Sequence, residues 1–173
     1  MVHVDGQRDD VTQFGRYEWL VTNGIGGYAC GTVAGMLSRH YHGLLIAALK
    51  PPLERTLTVV KLNEYLTYRE ETFCLTVDED ADGLIGAENL EHLKQFHLEG
   101  TIPVWTYTFD DVELEKRVWM AQGANTTYVM YTLTKATKPL DLTLEAMVNY
   151  RDYHGTTRRA ENLPSLTITT LEN

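Results

Sequence analysis

Two segments alternate apolar and polar residues so regularly that extended strands are the only regular structure that fits them. Val112, Leu114, Lys116, Val118 and Met120 fall on one side of an extended chain, with Glu113, Glu115, Arg117 and Trp119 on the other. Leu140, Leu142, Leu144, Ala146 and Val148 alternate in the same way with Asp141, Thr143, Glu145, Met147 and Asn149. A repeat of two residues is the strand period; a helical face would repeat every ~3.6. Residues 56–60, 72–77, 102–109, 126–134 and 166–171 are rich in β-branched and aromatic side chains, which suit a pleated, half-buried surface. Asp110-Asp111 supplies a two-residue hairpin loop, and Asn125 and residues 135–139 mark further turns. The one helical candidate is residues 86–96, where Ala87, Leu90 and Leu93 recur at three-residue spacing, with Lys94 beside them. Many short strands with frequent turns predict an all-β, antiparallel sandwich with little helix.

The chain has 173 residues, 43% of them hydrophobic, enough for one domain spanning residues 1–173. It carries 15 Lys and Arg against 24 Asp and Glu, a net charge of −9. That excess repels phosphate backbones and anionic lipid, so neither nucleic acid nor membrane is an expected partner. A neutral substrate such as a sugar polymer is compatible with it. No apolar run is long enough to span a bilayer, and residues 1–10 lack the apolar core of a secretory leader. Cys30 and Cys74 therefore read as reduced thiols of a cytoplasmic protein. The sequence stops just after the strand-like segment 166–171, which reads as a piece of a longer polypeptide.

Three segments carry functional information. In the first, Asn23 precedes Gly24, Gly26 and Gly27, with Tyr28 following. Glycines this dense permit positive φ and close backbone approach. The run is not a phosphate loop, because no Lys-Ser/Thr follows, and the dinucleotide-binding pattern fails at Ala29. The second segment is Ser38-Arg39-His40-Tyr41-His42-Gly43, a polar cluster leading into an apolar run. The third is Asn149-Tyr150-Arg151-Asp152-Tyr153-His154-Gly155, at the end of the alternating strand, where binding groups concentrate. Each has an ordinary competing reading: anchoring of the glycine loop for the second, a surface turn with a local Arg–Asp pair for the third.

The run from Glu18 through Tyr28, then Gly31-Thr32-Val33 and Arg39 through Leu45, closely resembles the opening of bacterial and archaeal glycogen debranching enzymes of the amylo-α-1,6-glucosidase type. Pro51-Pro52, the stretch from Val60 to Glu64, and Asn149 through His154 fit the same pattern. The departure is His40, where the resemblance leads us to expect a second Arg. The resemblance implies an N-terminal β-supersandwich that precedes a catalytic (α/α)6 barrel, as in bacterial glucoamylases. The barrel would hold the two carboxylates that hydrolyse the α-1,6 branch linkage. This chain is then a non-catalytic domain, without cofactor, whose partners are the barrel of the same polypeptide and an α-glucan such as glycogen. Missing its barrel, it would expose an apolar surface capable of self-association.

Asn23, Tyr28, Arg39, His40, Tyr41, His42, Arg151, Asp152, His154 and Trp119 are the candidates to bind substrate or a neighbouring domain. Trp119 is included because the inward register of Val112, Leu114, Val118 and Met120 turns it outward; Trp19 and Trp105 are more ordinary core residues. No catalytic residue and no metal ligand is assigned. The acidic stretch Asp78, Glu79, Asp80 and Asp82 reads as a solvated loop without calcium-loop spacing. Two alternatives remain. One is an independent carbohydrate-binding module for glycogen or maltooligosaccharides. The other is a metal-dependent, cupin-like enzyme that uses His40, His42, His97 or His154, since residues two apart on a strand share a face.

Overall fold

The computed structural model describes residues 3–5, 14–80, 83–85 and 87–156. The strands are β1 (His3–Asp5), β2 (Glu18–Thr22), β3 (Tyr28–Thr32), β4 (Gly43–Lys50), β5 (Leu53–Tyr68), β6 (Glu71–Cys74), β7 (Asp78–Asp80), β8 (Gly83–Ile85), β9 (Leu93–Glu99), β10 (Ile102–Phe109), β11 (Val112–Met120), β12 (Thr127–Lys135) and β13 (Asp141–Asp152). One sheet runs β1-β9-β10-β11-β12; the other runs β13-β5-β4-β3-β2, with β6 also paired to β5. Every pairing is antiparallel. The all-β sandwich predicted from the alternation is the observed architecture. The segment 166–171 lies outside the described residues.

The helical expectation for 86–96 is corrected. Only Ala87–His92 forms a single 3-10 stretch, and Leu93–Glu99 is strand. The misleading spacing has a physical origin: Ala87 and Leu90 lie in the 3-10 stretch, whose repeat is about three residues, and Leu93 opens the strand that follows. Thr106 pairs with Gln95 and Tyr107 with Leu93, so Lys94 is an extra residue in a β-bulge. The bulge lets Leu93 and Phe96, three apart, both point into the core, as they would on a helix. The acidic stretch is corrected too. Residues 78–80 pair with 83–85 as a small hairpin, and Asp78 forms an ion pair with the buried Lys61. The Asp110-Asp111 hairpin is as expected, with Phe109 opposite Val112 and Asp110 at φ 48°, a conformation Asp tolerates. Asp111 accepts hydrogen bonds from Thr137 and from Tyr68 Oη (2.8 Å), which hold its carboxyl down at about 2.

Between the sheets, Val21, Ala29, Leu66 and Tyr68 meet Phe96, Trp105, Tyr107, Phe109, Leu114 and Val118. Trp105 is fully enclosed, its indole N–H donating to Val33 O at 2.9 Å and its ring edge-on to Trp19 at 5.6 Å. Lys116, on the inward face of β11, crosses the gap to Glu64 on β5 at 2.5 Å. Tyr131 of β12 donates its hydroxyl to the same Glu64 oxygen, and burial together with that carboxylate keeps the phenol neutral. Glu64 is completely inaccessible to solvent. A buried carboxylate stripped of its cation is costly, whereas removing both partners is tolerated. Lys116→Met should therefore lower unfolding free energy by about 3 kcal/mol. The double variant Glu64→Leu/Lys116→Met should recover most of that loss in urea titrations; equal destabilisation of both would show the pair to be incidental.

Candidate functional site

The glycine loop is built around Asn23, which is wholly buried. Its Oδ1 accepts the backbone N–H groups of Ile25 (3.1 Å) and Gly27 (2.9 Å). Its Nδ2 donates to Ala124 O and to Asn125 Oδ1, both at 3.1 Å. Its own N–H donates to Gly27 O, and its carbonyl accepts from Gly123 N–H. Asn125 in turn brackets Ala48, accepting its N–H at 3.0 Å and donating to its carbonyl at 2.8 Å. Asn23 thus fixes the loop from beneath, with every polar atom engaged internally. Gly26 lies against the Pro51-Pro52 turn, where an added Cβ would meet Pro52 O at 2.6 Å.

The second and third segments, over a hundred residues apart, meet on this loop. Tyr41 Oη lies 3.0 Å from His154 Nδ1, and the Tyr41 ring packs against Tyr153 and His40. Arg151 donates to Gly155 O (2.6 Å) and to His40 O (2.7 Å), curling its own turn and pinning it to the Arg39–His42 cluster. Asp152 Oδ1 accepts the His154 N–H at 2.9 Å. Tyr28 Oη donates to Tyr41 O at 3.3 Å; burial raises its phenol to about 12, so it remains a donor. Cys30 donates to the same carbonyl, its thiol pushed up to about 11 by burial and hence not a nucleophile. Arg55, which sequence reasoning passed over, joins all of this together. Its Nε donates to Gly26 O at 2.7 Å, and its guanidinium lies over the Tyr153 ring at 5.4 Å.

Glu18 was quoted only as part of a motif, yet it organises the cluster's flank. Its Oε1 takes Arg39 Nε at 2.6 Å and His42 Nε2 at 3.4 Å. His42 is buried, and desolvation outweighs the pull of Glu18, so its pKa is lowered. Its role is internal support for the segment. Arg39, His40, Tyr41, Asp152 and His154 remain solvent-facing. A groove of about 340 Å³ lies beside them, bounded by Arg39, His40, His42, Leu57, Asn149 and Arg151. A second, of about 540 Å³, runs between Tyr28, Arg55 and the glycine loop. Trp119 is not part of this assembly. It faces outward from the other sheet and stacks on Tyr128, with ring centroids 5.3 Å apart.

A family model described as glycogen debranching enzyme N terminal matches residues 17–169, which include all ten candidate residues and both grooves. The chain belongs to this family. Comparisons with curated proteins and with solved structures find no match. The family assignment fits the residues that the fold brings together, since the glycine loop, the Arg39–His42 cluster and the Arg151–His154 turn all lie within the match. For the metal-enzyme alternative, His97 sits on β9 of the opposite sheet, away from His40, His42 and His154. Among the described residues, no group of three or more His, Cys, Asp or Glu is placed to hold a metal ion. Among the described residues, no helix is long and apolar enough to cross a membrane.

Two outcomes follow for this debranching-enzyme domain. Gly26→Ala places a Cβ against backbone at φ 102°, and should cost about 2 kcal/mol by thermal or urea unfolding. His42 resists protonation when folded but not when unfolded. Its contribution is therefore intact above the unfolded pKa of about 6.5 and is lost as pH falls from there through the lower folded value. His42→Gln should flatten the slope of stability against pH in that window; an unchanged slope would remove His42 from the account.

Proposed function

We propose that this is the non-catalytic N-terminal domain of a cytoplasmic glycogen debranching enzyme, bracing the catalytic (α/α)6 barrel and shaping its α-glucan groove. The observation that carries the reading is the convergence of three separate segments into one face. Tyr28, Arg39, His40, Tyr41, Asp152 and His154 are the residues that present polar groups there, over a frame supplied by Asn23, Arg55 and Arg151. Hydroxyl, imidazole and guanidinium groups on a pre-ordered surface suit the many hydroxyls of a neutral glucan. A general acid needs a raised carboxyl pKa. Glu99, Asp111 and Glu113 are instead held low by Arg117, Thr137 and Lys94 respectively, and Glu18 is engaged by Arg39.

A second observation supports the barrel-bracing role. β12 and β13 are edge strands of the two sheets and are joined by residues 136–140. Three of their apolar side chains stand well out in solvent: Leu133 and Leu144 are each 44% exposed, and Val148 is 52% exposed. β13 then runs directly into Arg151 and Asp152, so the apolar surface continues into the polar face. An exposed apolar patch of this kind marks a partner surface.

The test is an assay of the chain for hydrolysis of an α-1,6-branched maltooligosaccharide, with association measured by sedimentation. No hydrolysis is expected, and self-association should be lost in Leu144→Asp/Val148→Asp at unchanged melting temperature. In the barrel-bearing enzyme, Tyr41→Ala should raise KM for branched glucan about tenfold with little change in kcat. Hydrolysis by the chain alone would overturn the non-catalytic reading, and an unchanged KM would remove the cluster from the groove.

A further inference from the structure

Beyond the glycine-loop groove, with Leu20 and Thr22 on the boundary between the two, lies a third recess, of about 330 Å³. It lies where the edge strand β2 passes the ends of β10 and β11. Leu20, Ile102 and Trp119 supply its apolar wall, and Thr22, Thr101 and Gln122 its polar groups. Among the described residues that line it, none is charged. In a chain whose residues are 23% charged, that selects against ionic ligands.

The Trp119 indole is braced by Tyr128, its cross-strand partner, at an interplanar angle of 19°. A ring held by a neighbour presents its remaining surface at little entropic cost. Gln122 is likewise fixed, its Nε2 donating to Thr22 O at 3.2 Å, and its Oε1 is positioned near Gly24. The Arg117 guanidinium is taken up by Glu99 and by Glu115. Leu20 is 58% exposed although nothing in the sandwich core requires it there. An aromatic and aliphatic wall flanked by an amide and two hydroxyls matches a pyranose ring, whose C–H faces are apolar and whose rim is hydroxylated.

We propose that this recess is a second carbohydrate site, binding a glucose unit of a neutral α-glucan on Trp119 and Leu20, distinct from the Tyr41–His154 cluster. The choice of α-glucan rests on the functional reading above; the neutral sugar class rests on the recess itself. Its role would be to tether an outer glucan branch to the domain, adding effective concentration to whatever the main groove holds.

The experiment is a titration of the chain with maltoheptaose, followed by tryptophan fluorescence and calorimetry. Saturable binding is expected, weakened about tenfold or more by Trp119→Ala and by Thr101→Arg, and unaltered by Leu53→Arg, a distant exposed leucine. Thr101→Arg keeps the test decisive should Trp119→Ala fold poorly, because Thr101 is exposed and lines this recess but not the glycine-loop groove. Absence of saturable binding, or binding indifferent to Thr101→Arg, overturns the site. Binding that survives Thr101→Arg but is lost in Tyr41→Ala would place the sugar on the other face, overturning this site and leaving the functional reading standing. Loss of barrel bracing is read separately, through the Leu144 and Val148 substitutions.

Discussion

Backbone groups that leave a sheet inside a protein must find other partners, and at the glycine loop they find them on Asn23. Its amide gathers two N–H groups of the loop on one side and grips the 121–126 turn of the opposite sheet on the other. Ser or Asp could satisfy part of this set, but only a carboxamide both accepts twice and donates twice. The loop's position over Pro52 and Arg55 follows, and so does the seat for Tyr41 and Tyr153. Asn125 extends the same clamp to Ala48, so β4, the loop and the β11–β12 turn are tied together by hydrogen bonds. The candidate face inherits its rigidity from this buried network rather than from its own exposed contacts.

That arrangement separates the motif residues by task. Arg151 looks in sequence like a group for a ligand, yet its guanidinium, like that of Arg55, is turned onto carbonyls of the protein. A fixed fork of donors is well suited to stitching together backbone segments that no ladder joins. What they stitch leaves Tyr41, His40 and His154 in solvent. The substitution of His for a second Arg at position 40 changes little in this frame, because Arg151 takes the backbone carbonyl of His40, not its side chain.

The sandwich was legible because its inward positions alternate without interruption: Leu114, Lys116, Val118 and Met120 on β11 needed only the strand period to be placed. The same logic misread residues 86–96, where Ala87 and Leu90 repeat at three because they sit in a 3-10 stretch that gives way to strand at Leu93. The three functional segments were each visible as unusual local composition. Their meeting was not, since it depends on β13 pairing with β5 and on β4 lying between β5 and β3 in the same sheet, contacts that no local pattern encodes. Arg55 was missed for the same reason: in sequence it is one polar residue at the start of a strand, and only the register brings it to Gly26 and Tyr153. Glu18 and Asn125 are further cases in which a partner distant in sequence gives an ordinary residue its role.

The alternation in β13 was read correctly as a strand, but it does not close the core. Leu142 faces Leu66 in the interior, whereas Leu144, opposite Glu64, already stands at the open margin of the sandwich. The buried Glu64–Lys116–Tyr131 group lies just inside that margin. A buried ion pair near an open edge is sensitive to water, because its attraction grows as the surrounding dielectric falls. Covering Leu133, Leu144 and Val148 with another surface would therefore strengthen the link between the two sheets as well as bury apolar area. Bracing would then act in both directions: the domain supports its partner, and the partner dries the margin on which the domain's own inter-sheet pair depends.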